Sequence, residues 1–71
     1  MRDQPDLVLA SLLKRLREEQ GITQEELAYD AGITVSALSR IERGLNGPGW
    51  TTVKRIADAL GVSLSDLVAD L

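Results

Sequence analysis

The stretch 35–43 near the middle of the chain carries the side chains whose chemistry most suggests binding. On a helical wheel its apolar residues Ala37, Leu38 and Ile41 fall on one side. The other side carries methyl, hydroxyl and guanidinium groups, from Val35, Ser36, Ser39, Arg40 and Arg43. A hydroxyl can donate or accept a hydrogen bond, and a guanidinium can form two parallel ones with a suitable acceptor. This face therefore suits a hydrogen-bonding partner, although the same residues could form an ordinary solvated helix surface.

Two short helices joined by a tight turn would position that face. Thr23 stands at an N-cap position and Glu26 completes a capping box, which predicts a helix over Gln24–Ala31. Gly32 ends this helix, and Thr34 can cap a second one almost at once. Helices with so short a joint must meet at a steep angle. This is the arrangement of a helix-turn-helix, which offers its second helix to the major groove of DNA.

Apolar residues at helical spacing predict three further helices and no strand. The first should run from near Leu7 to Gly21, the fourth should cover Trp50–Leu60, and Ser63 should cap the fifth. The predicted fold class is all-α, a compact bundle of five helices with the helix-turn-helix at helices 2 and 3. The predicted organisation is an N-terminal arm, residues 1–6, followed by one domain, residues 7–71.

Composition argues against catalysis and against metal binding. The chain contains no Cys and no His, which removes thiol nucleophiles, disulfides, imidazole bases and the usual zinc ligands. No pair of carboxylates is expected in an apolar pocket, so we predict no enzyme, no catalytic residue, no cofactor and no small-molecule ligand. No secretory or membrane-spanning segment is evident, which favours a cytoplasmic location without membrane contact. The lack of a linker or tail favours a complete natural protein.

The predicted motif resembles the Cro/C1-type helix-turn-helix domains, also called the XRE family. The resemblance extends from about Leu9 to Leu67 and is carried by the combined spacing of Gln24, Leu27, Ala28, Gly32, Ile33, Thr34, Leu38, Ser39, Ile41, Glu42 and Gly44. It implies a bundle of the lambda-repressor-like type. It also implies a sequence-specific DNA-binding transcriptional regulator, with repression the expected role, that inserts the helix starting at Val35 into the major groove.

The resemblance further implies roles for individual side chains. Base edges would be contacted by Val35, Ser36, Ser39 and Arg40, and DNA phosphates by Gln24, Arg43 and Asn46. Arg17 and Glu42 match positions that form a partly buried ion pair between the first helix and the recognition helix. Other interpretations stay open for the phosphate set: Gln24 could be a surface helix former, and Arg43 and Asn46 could be capping or turn residues.

The overall charge argues against DNA binding. Eight basic residues face eleven acidic ones, giving a net charge of −3, whereas DNA-binding modules are usually basic. We therefore expect an uneven charge distribution, with basic residues near the DNA-facing side: Lys14, Arg15, Arg17, Arg40 and Arg43. The alternative hypothesis is an antitoxin-like or adaptor module that keeps the fold and binds a protein through its acidic surface. Only the DNA-binding hypothesis requires Gln24, Arg40 and Arg43.

The expected partner is double-stranded DNA carrying a palindromic operator, bound by a homodimer. A domain this small reaches few base pairs, and specific binding normally uses two copies on a two-fold site. The apolar stripe of the fifth helix, ending at Leu71 with Val62 nearby, could be a self-complementary surface. The same stripe could instead simply close the core of the monomer.

Overall fold

The computed structural model describes residues 5–45 and 47–69, with side chains described from Leu7 onwards. This part of the chain forms five α-helices and no strand: α1, Pro5–Glu19; α2, Gln24–Ala31; α3, Val35–Glu42; α4, Trp50–Leu60; and α5, Leu64–Ala69. The predicted all-α, five-helix fold class is therefore confirmed. Residues 1–4 of the predicted arm, Asn46 and Leu71 lie outside the described residues.

The first helix starts earlier than the apolar pattern predicts. It begins at Pro5 rather than near Leu7. Proline favours the first helical position because its φ angle is already helical and its missing N–H would have no intrahelical partner there. The helix ends at Glu19, before Gly21 takes a left-handed conformation with φ of 70°.

Local capping sets the bounds of α2 and α3. The Thr23 hydroxyl accepts from the Glu26 N–H at 3.0 Å, while the Glu26 carboxylate accepts from the Thr23 N–H at 2.8 Å. Gly32, with φ of 72°, ends α2 in the left-handed region that favours glycine. The Thr34 hydroxyl then accepts from the Ala37 N–H at 3.0 Å and starts α3. The predicted capping of both helices is confirmed.

The core takes at least one fully buried side chain from every helix. These five side chains, one from each helix in chain order, are Leu13, Leu27, Leu38, Ile56 and Leu67. Burying a leucine or isoleucine side chain contributes about 1.5–3 kcal/mol relative to leaving it exposed. Because the chain contains no Phe, aliphatic side chains such as these supply the packing of the core.

The helices pack so that α3 rests on two supports. It packs against α1 and α2. The second helix also packs against α4, and α4 packs against α5. No helix among the described residues is long and apolar enough to cross a membrane.

Candidate nucleic-acid interface

The turn between α2 and α3 fixes the direction in which α3 leaves the bundle. After the left-handed Gly32, the Ile33 N–H donates to the Ala28 carbonyl at 3.0 Å, which closes the end of α2. Ile33 is half-buried and packs against the core. Only the segment 32–34 separates the helices, and α3 packs against both α1 and α2.

The buried side of α3 explains which side remains outside. Leu38, Ile41 and Glu42 are buried, whereas Ala37 is half-buried rather than fully inside as the wheel suggests. Ala37 lies in the first turn, before the helix has reached the centre of the core. The other side of α3 carries the predicted base-contacting residues, of which Val35, Ser36 and Arg40 are exposed and Ser39 is half-buried.

Arg43 lies at the end of this face. It is the C-cap residue of α3, its N–H donates to the Ser39 carbonyl at 3.1 Å, and its side chain is exposed. The structure therefore brings Arg43 onto the same exposed surface as Arg40. The third predicted phosphate contact in this region, Asn46, lies outside the described residues.

Arg17 and Glu42 form a bidentate ion pair between α1 and α3. Arg17 Nε lies 2.8 Å from Glu42 Oε2 and Nη2 lies 3.0 Å from Oε1. The side chains are 11% and 2% exposed. The hydrogen bond from Glu42 raises the pKa of Arg17 above its ordinary value despite the opposing effect of burial. Because Arg17 Nη1 also donates to the Ile22 carbonyl at 2.9 Å, the guanidinium is held by two parts of the chain.

Gln24 makes a contact that the sequence pattern did not indicate. Its Nε2 donates to Glu42 Oε1 at 3.0 Å, so α2 joins the ion pair between α1 and α3. The side chain is half-buried at the first position of α2. No local signal could have predicted this bond, because its partners are eighteen residues apart.

Two of the five basic residues predicted near the DNA-facing side, Arg15 and Arg17, are paired with carboxylates. Arg17 is neutralised by Glu42 inside the bundle, and Arg15 lies 3.7 Å from Glu19 in an exposed pair. Lys54 and Asp58 pair on α4 at 3.1 Å. Arg40, in the last turn of α3, and Arg43, its C-cap residue, are both exposed.

A second exposed feature is formed by α4 and α5. Trp50 is 67% exposed and Val68 is 51% exposed, and both line a shallow apolar groove with Leu64, Ser65 and Ala69. Leu67 is buried and Leu64 is half-buried against the core. The apolar residues predicted on α5 therefore have two environments. Leu64 and Leu67 pack against the core of the monomer, whereas Val68 is exposed in the groove beside Trp50. Leu71 lies outside the described residues.

Within the described ranges, no cluster of acidic side chains is arranged to hold a metal ion.

Comparison with known proteins relates this geometry to a family. A helix-turn-helix family model matches residues 13–67. The chain is 43% identical over 61 residues to an uncharacterised HTH-type transcriptional regulator, y4dJ of Sinorhizobium fredii, covering 86% of this chain and 79% of that protein. It is 39% identical over 57 residues to the HTH-type transcriptional repressor RghR of Bacillus subtilis, covering 79% of this chain but only 42% of the repressor.

Solved structures agree with the sequence matches. The wild-type restriction-modification controller protein C.Esp1396I superposes with a TM-score of 0.89 at 26% identity, over 97% of this chain and 88% of that one. The match in sequence covers both helices of the motif and the match in structure covers nearly the whole bundle. The chain belongs to the Cro/C1-type, or XRE, family of helix-turn-helix proteins.

Proposed function

We propose that this protein is a sequence-specific transcriptional repressor that binds double-stranded DNA by inserting α3 into the major groove. One observation carries the proposal: α3 buries Leu38 and Ile41 in the bundle and turns Val35, Ser36 and Arg40 outwards. A helix with an exposed, chemically mixed face directly after a tight turn has the geometry that a groove-reading helix needs. Related proteins that are named regulators or repressors support the same role.

The base-reading chemistry follows from the exposed side chains. Arg40 can donate two hydrogen bonds to the O6 and N7 atoms of a guanine, while Ser36 and Ser39 can donate or accept at several base edges. The methyl groups of Val35 can contact a thymine methyl. Our assignment of base contacts is accordingly Val35, Ser36, Ser39 and Arg40.

Phosphate contacts would orient α3 without reading sequence. We assign them to Gln24, at the first position of α2, to Arg43, at the end of α3, and to Asn46 in the following loop. Gln24 and the neighbouring backbone N–H groups lie at the positive end of the α2 dipole, which favours an anion. Arg43 supplies a positive charge at the opposite end of the exposed face.

We further propose that two copies bind a palindromic operator through a homodimer. Among the described residues, those that line the groove beside Trp50 and Val68 carry no charge, so a second copy of the same groove could cover it without charge repulsion between these residues. Large exposed apolar side chains such as Trp50 are the usual anchors of protein interfaces. Dimerisation would also double the phosphate contacts, which a chain with a net charge of −3 needs.

The direct test is selection of bound DNA from a random double-stranded library, followed by affinity measurement at two salt concentrations. We expect a palindromic site to be enriched and to bind far more tightly than a scrambled duplex of equal length. We also expect affinity for both duplexes to fall as salt rises. If no sequence is enriched, and low-salt binding does not distinguish the selected duplex from the scrambled one, DNA reading by α3 is wrong.

A protein-interaction module is the second candidate, and one exposed residue favours it. Tyr29 is 86% exposed on α2 and lies beside Glu25, Glu26 and Asp30. A large amphipathic side chain among acidic groups could contact a basic protein surface. Under this hypothesis Tyr29→Ala would abolish binding of the protein partner, whereas Arg40→Ala and Arg43→Ala would leave that binding intact.

A further inference from the structure

Glu42 receives hydrogen bonds from two other helices. Its Oε1 accepts from Arg17 Nη2 of α1 and from Gln24 Nε2 of α2, each at 3.0 Å, while its Oε2 accepts from Arg17 Nε at 2.8 Å. The Glu42 side chain is 2% exposed. One buried carboxylate of α3 therefore fixes a side chain of each of the two helices that support α3.

This carboxylate determines how the Gln24 amide is turned. A carboxylate oxygen only accepts hydrogen bonds when ionised, so the NH2 end of the amide must face Glu42. The amide group is planar, and fixing the direction of one N–H therefore fixes the second N–H and the carbonyl oxygen as well. Gln24 is the first residue of α2 and is half-buried, so its side chain contacts the Arg17–Glu42 pair and is also partly exposed to solvent.

The start of α2 has donors that its capping box does not use. Within the described part of the chain, the box and the first helical bond engage the N–H groups of Thr23, Glu26 and Leu27. The N–H groups of Gln24 and Glu25 precede the first possible intrahelical bond. A phosphate oxygen placed here could accept from these groups and from the second Gln24 side-chain N–H.

Acidic neighbours make the orientation of that amide important. Glu25 is exposed in the first turn of α2, where its carboxylate repels a phosphate, while the Glu26 carboxylate is turned towards the Thr23 N–H. A correctly oriented donor from Gln24 is needed to offset this repulsion. A freely rotating amide would present its carbonyl oxygen to the phosphate part of the time.

We infer that Glu42 is a positioning residue for DNA binding, which acts by holding the Gln24 amide in the orientation that donates to a DNA phosphate. The inference rests on the proposed DNA-binding function. It assigns the Arg17–Glu42 pair a second role besides stability, because the same carboxylate that joins α1 to α3 also orients the phosphate contact of α2.

A double-mutant cycle in an apolar background tests this role. Replacing a buried ion pair by apolar residues of similar size is often neutral for stability, so Arg17→Met with Glu42→Leu should keep the fold while removing the acceptor of Gln24. In the wild type, Gln24→Ala should weaken binding to every operator by about ten- to a hundredfold, the effect of one hydrogen bond to a charged group. The apolar variant should already show this loss, and adding Gln24→Ala to it should change affinity by less than about twofold.

Ser36→Ala provides the matched control, because Ser36 is exposed on α3 and the hydrogen bonds to Glu42 come from Arg17 and Gln24. Its effect on affinity should be the same factor in both backgrounds. Equal effects of Gln24→Ala in the two backgrounds, or an apolar variant that binds like the wild type, would overturn the inference. If the wild type itself enriches no DNA sequence, the proposed function fails instead.

Nuclear magnetic resonance provides a second measurement that needs no altered core. In the free wild-type protein the two side-chain amide protons of Gln24, assigned by their loss in Gln24→Ala, should be displaced from the chemical shifts of a free glutamine peptide and should exchange slowly with water. Addition of a scrambled DNA duplex at low salt should shift both. Amide signals matching those of a free glutamine peptide would contradict the fixed orientation, whether or not the apolar variant folds.

Discussion

Leu7 of α1 packs directly onto Gly44, the glycine that follows the C-cap of α3. Gly44 has φ of 74°, and a Cβ atom placed on it would overlap the side chain of Leu7. The chain therefore leaves the recognition helix through a residue whose left-handed conformation favours glycine, and a side chain there would displace the exposed end of Leu7. This contact joins the start of α1 to the end of α3, beyond the ion pair formed by Arg17 and Glu42.

We expect Gly44→Ala to destabilise the fold by about 1–2 kcal/mol through the left-handed alanine, with a smaller added cost because the exposed end of Leu7 must shift. Gly32→Ala is the matched control. Gly32 has φ of 72° but no atom near its missing Cβ, so only the backbone cost of about 1–2 kcal/mol applies. Chemical denaturation measures both values. Combining Leu7→Ala with Gly44→Ala should recover the part due to overlap; a double variant with purely additive losses would show that no overlap exists.

Removing either partner of the buried ion pair should cost far more than removing both. Arg17→Ala and Glu42→Ala should each lower the free energy of unfolding by about 3 kcal/mol, since each leaves a buried charge unpaired. Because the Arg17 pKa is raised, its contribution is fully present below its unfolded pKa and is lost only at strongly alkaline pH. The melting temperature should therefore show no fall attributable to Arg17 at neutral or mildly alkaline pH. Unchanged melting of both alanine variants would contradict the structural role.

The helix bounds could be predicted because their causes are local. Thr23 and Thr34 cap their helices through residues three positions away, and Gly32 ends α2 by its own conformation. Pro5 was a local signal of the same kind, and it outweighed the apolar pattern that placed the start of α1 near Leu7.

The bonds that tie the helices together could not be predicted from local pattern. Gln24 reaches Glu42 across eighteen residues, and the Gln20 side-chain amide donates to the Leu60 carbonyl at 2.6 Å across forty. Such partners are set by how the helices pack, which the spacing of apolar residues does not encode. The Arg17–Glu42 assignment came from family resemblance alone, because nothing in its spacing indicates an ion pair.

Dimer formation should depend on Trp50 and Val68. Val68→Asp places like charges against each other in a two-fold contact, and Trp50→Ala removes the largest exposed apolar side chain of that surface. We expect each change to weaken self-association by at least about tenfold in sedimentation equilibrium. Tyr29→Ala, on a surface away from the groove and more exposed still, should leave it unchanged. A wild type that sediments as a monomer both free and on DNA would rule out the homodimer.

Base contacts and phosphate contacts should separate when a panel of operators is measured at two salt concentrations. Arg40→Ala should cost about 1–3 kcal/mol at one base pair per half-site and relax the preference there, because its guanidinium is assigned to a base edge. Arg43→Ala should instead weaken every operator alike, because phosphates carry no sequence. It should also lower the slope of log affinity against log salt by about one per half-site, because one phosphate contact is lost there. Ser11→Ala, exposed on α1 and outside both the groove and the assigned DNA contacts, should leave both the preference and the slope unchanged. If Arg40→Ala shifts all operators equally, Arg40 contacts the backbone rather than a base, and sequence must be read by Val35, Ser36 and Ser39.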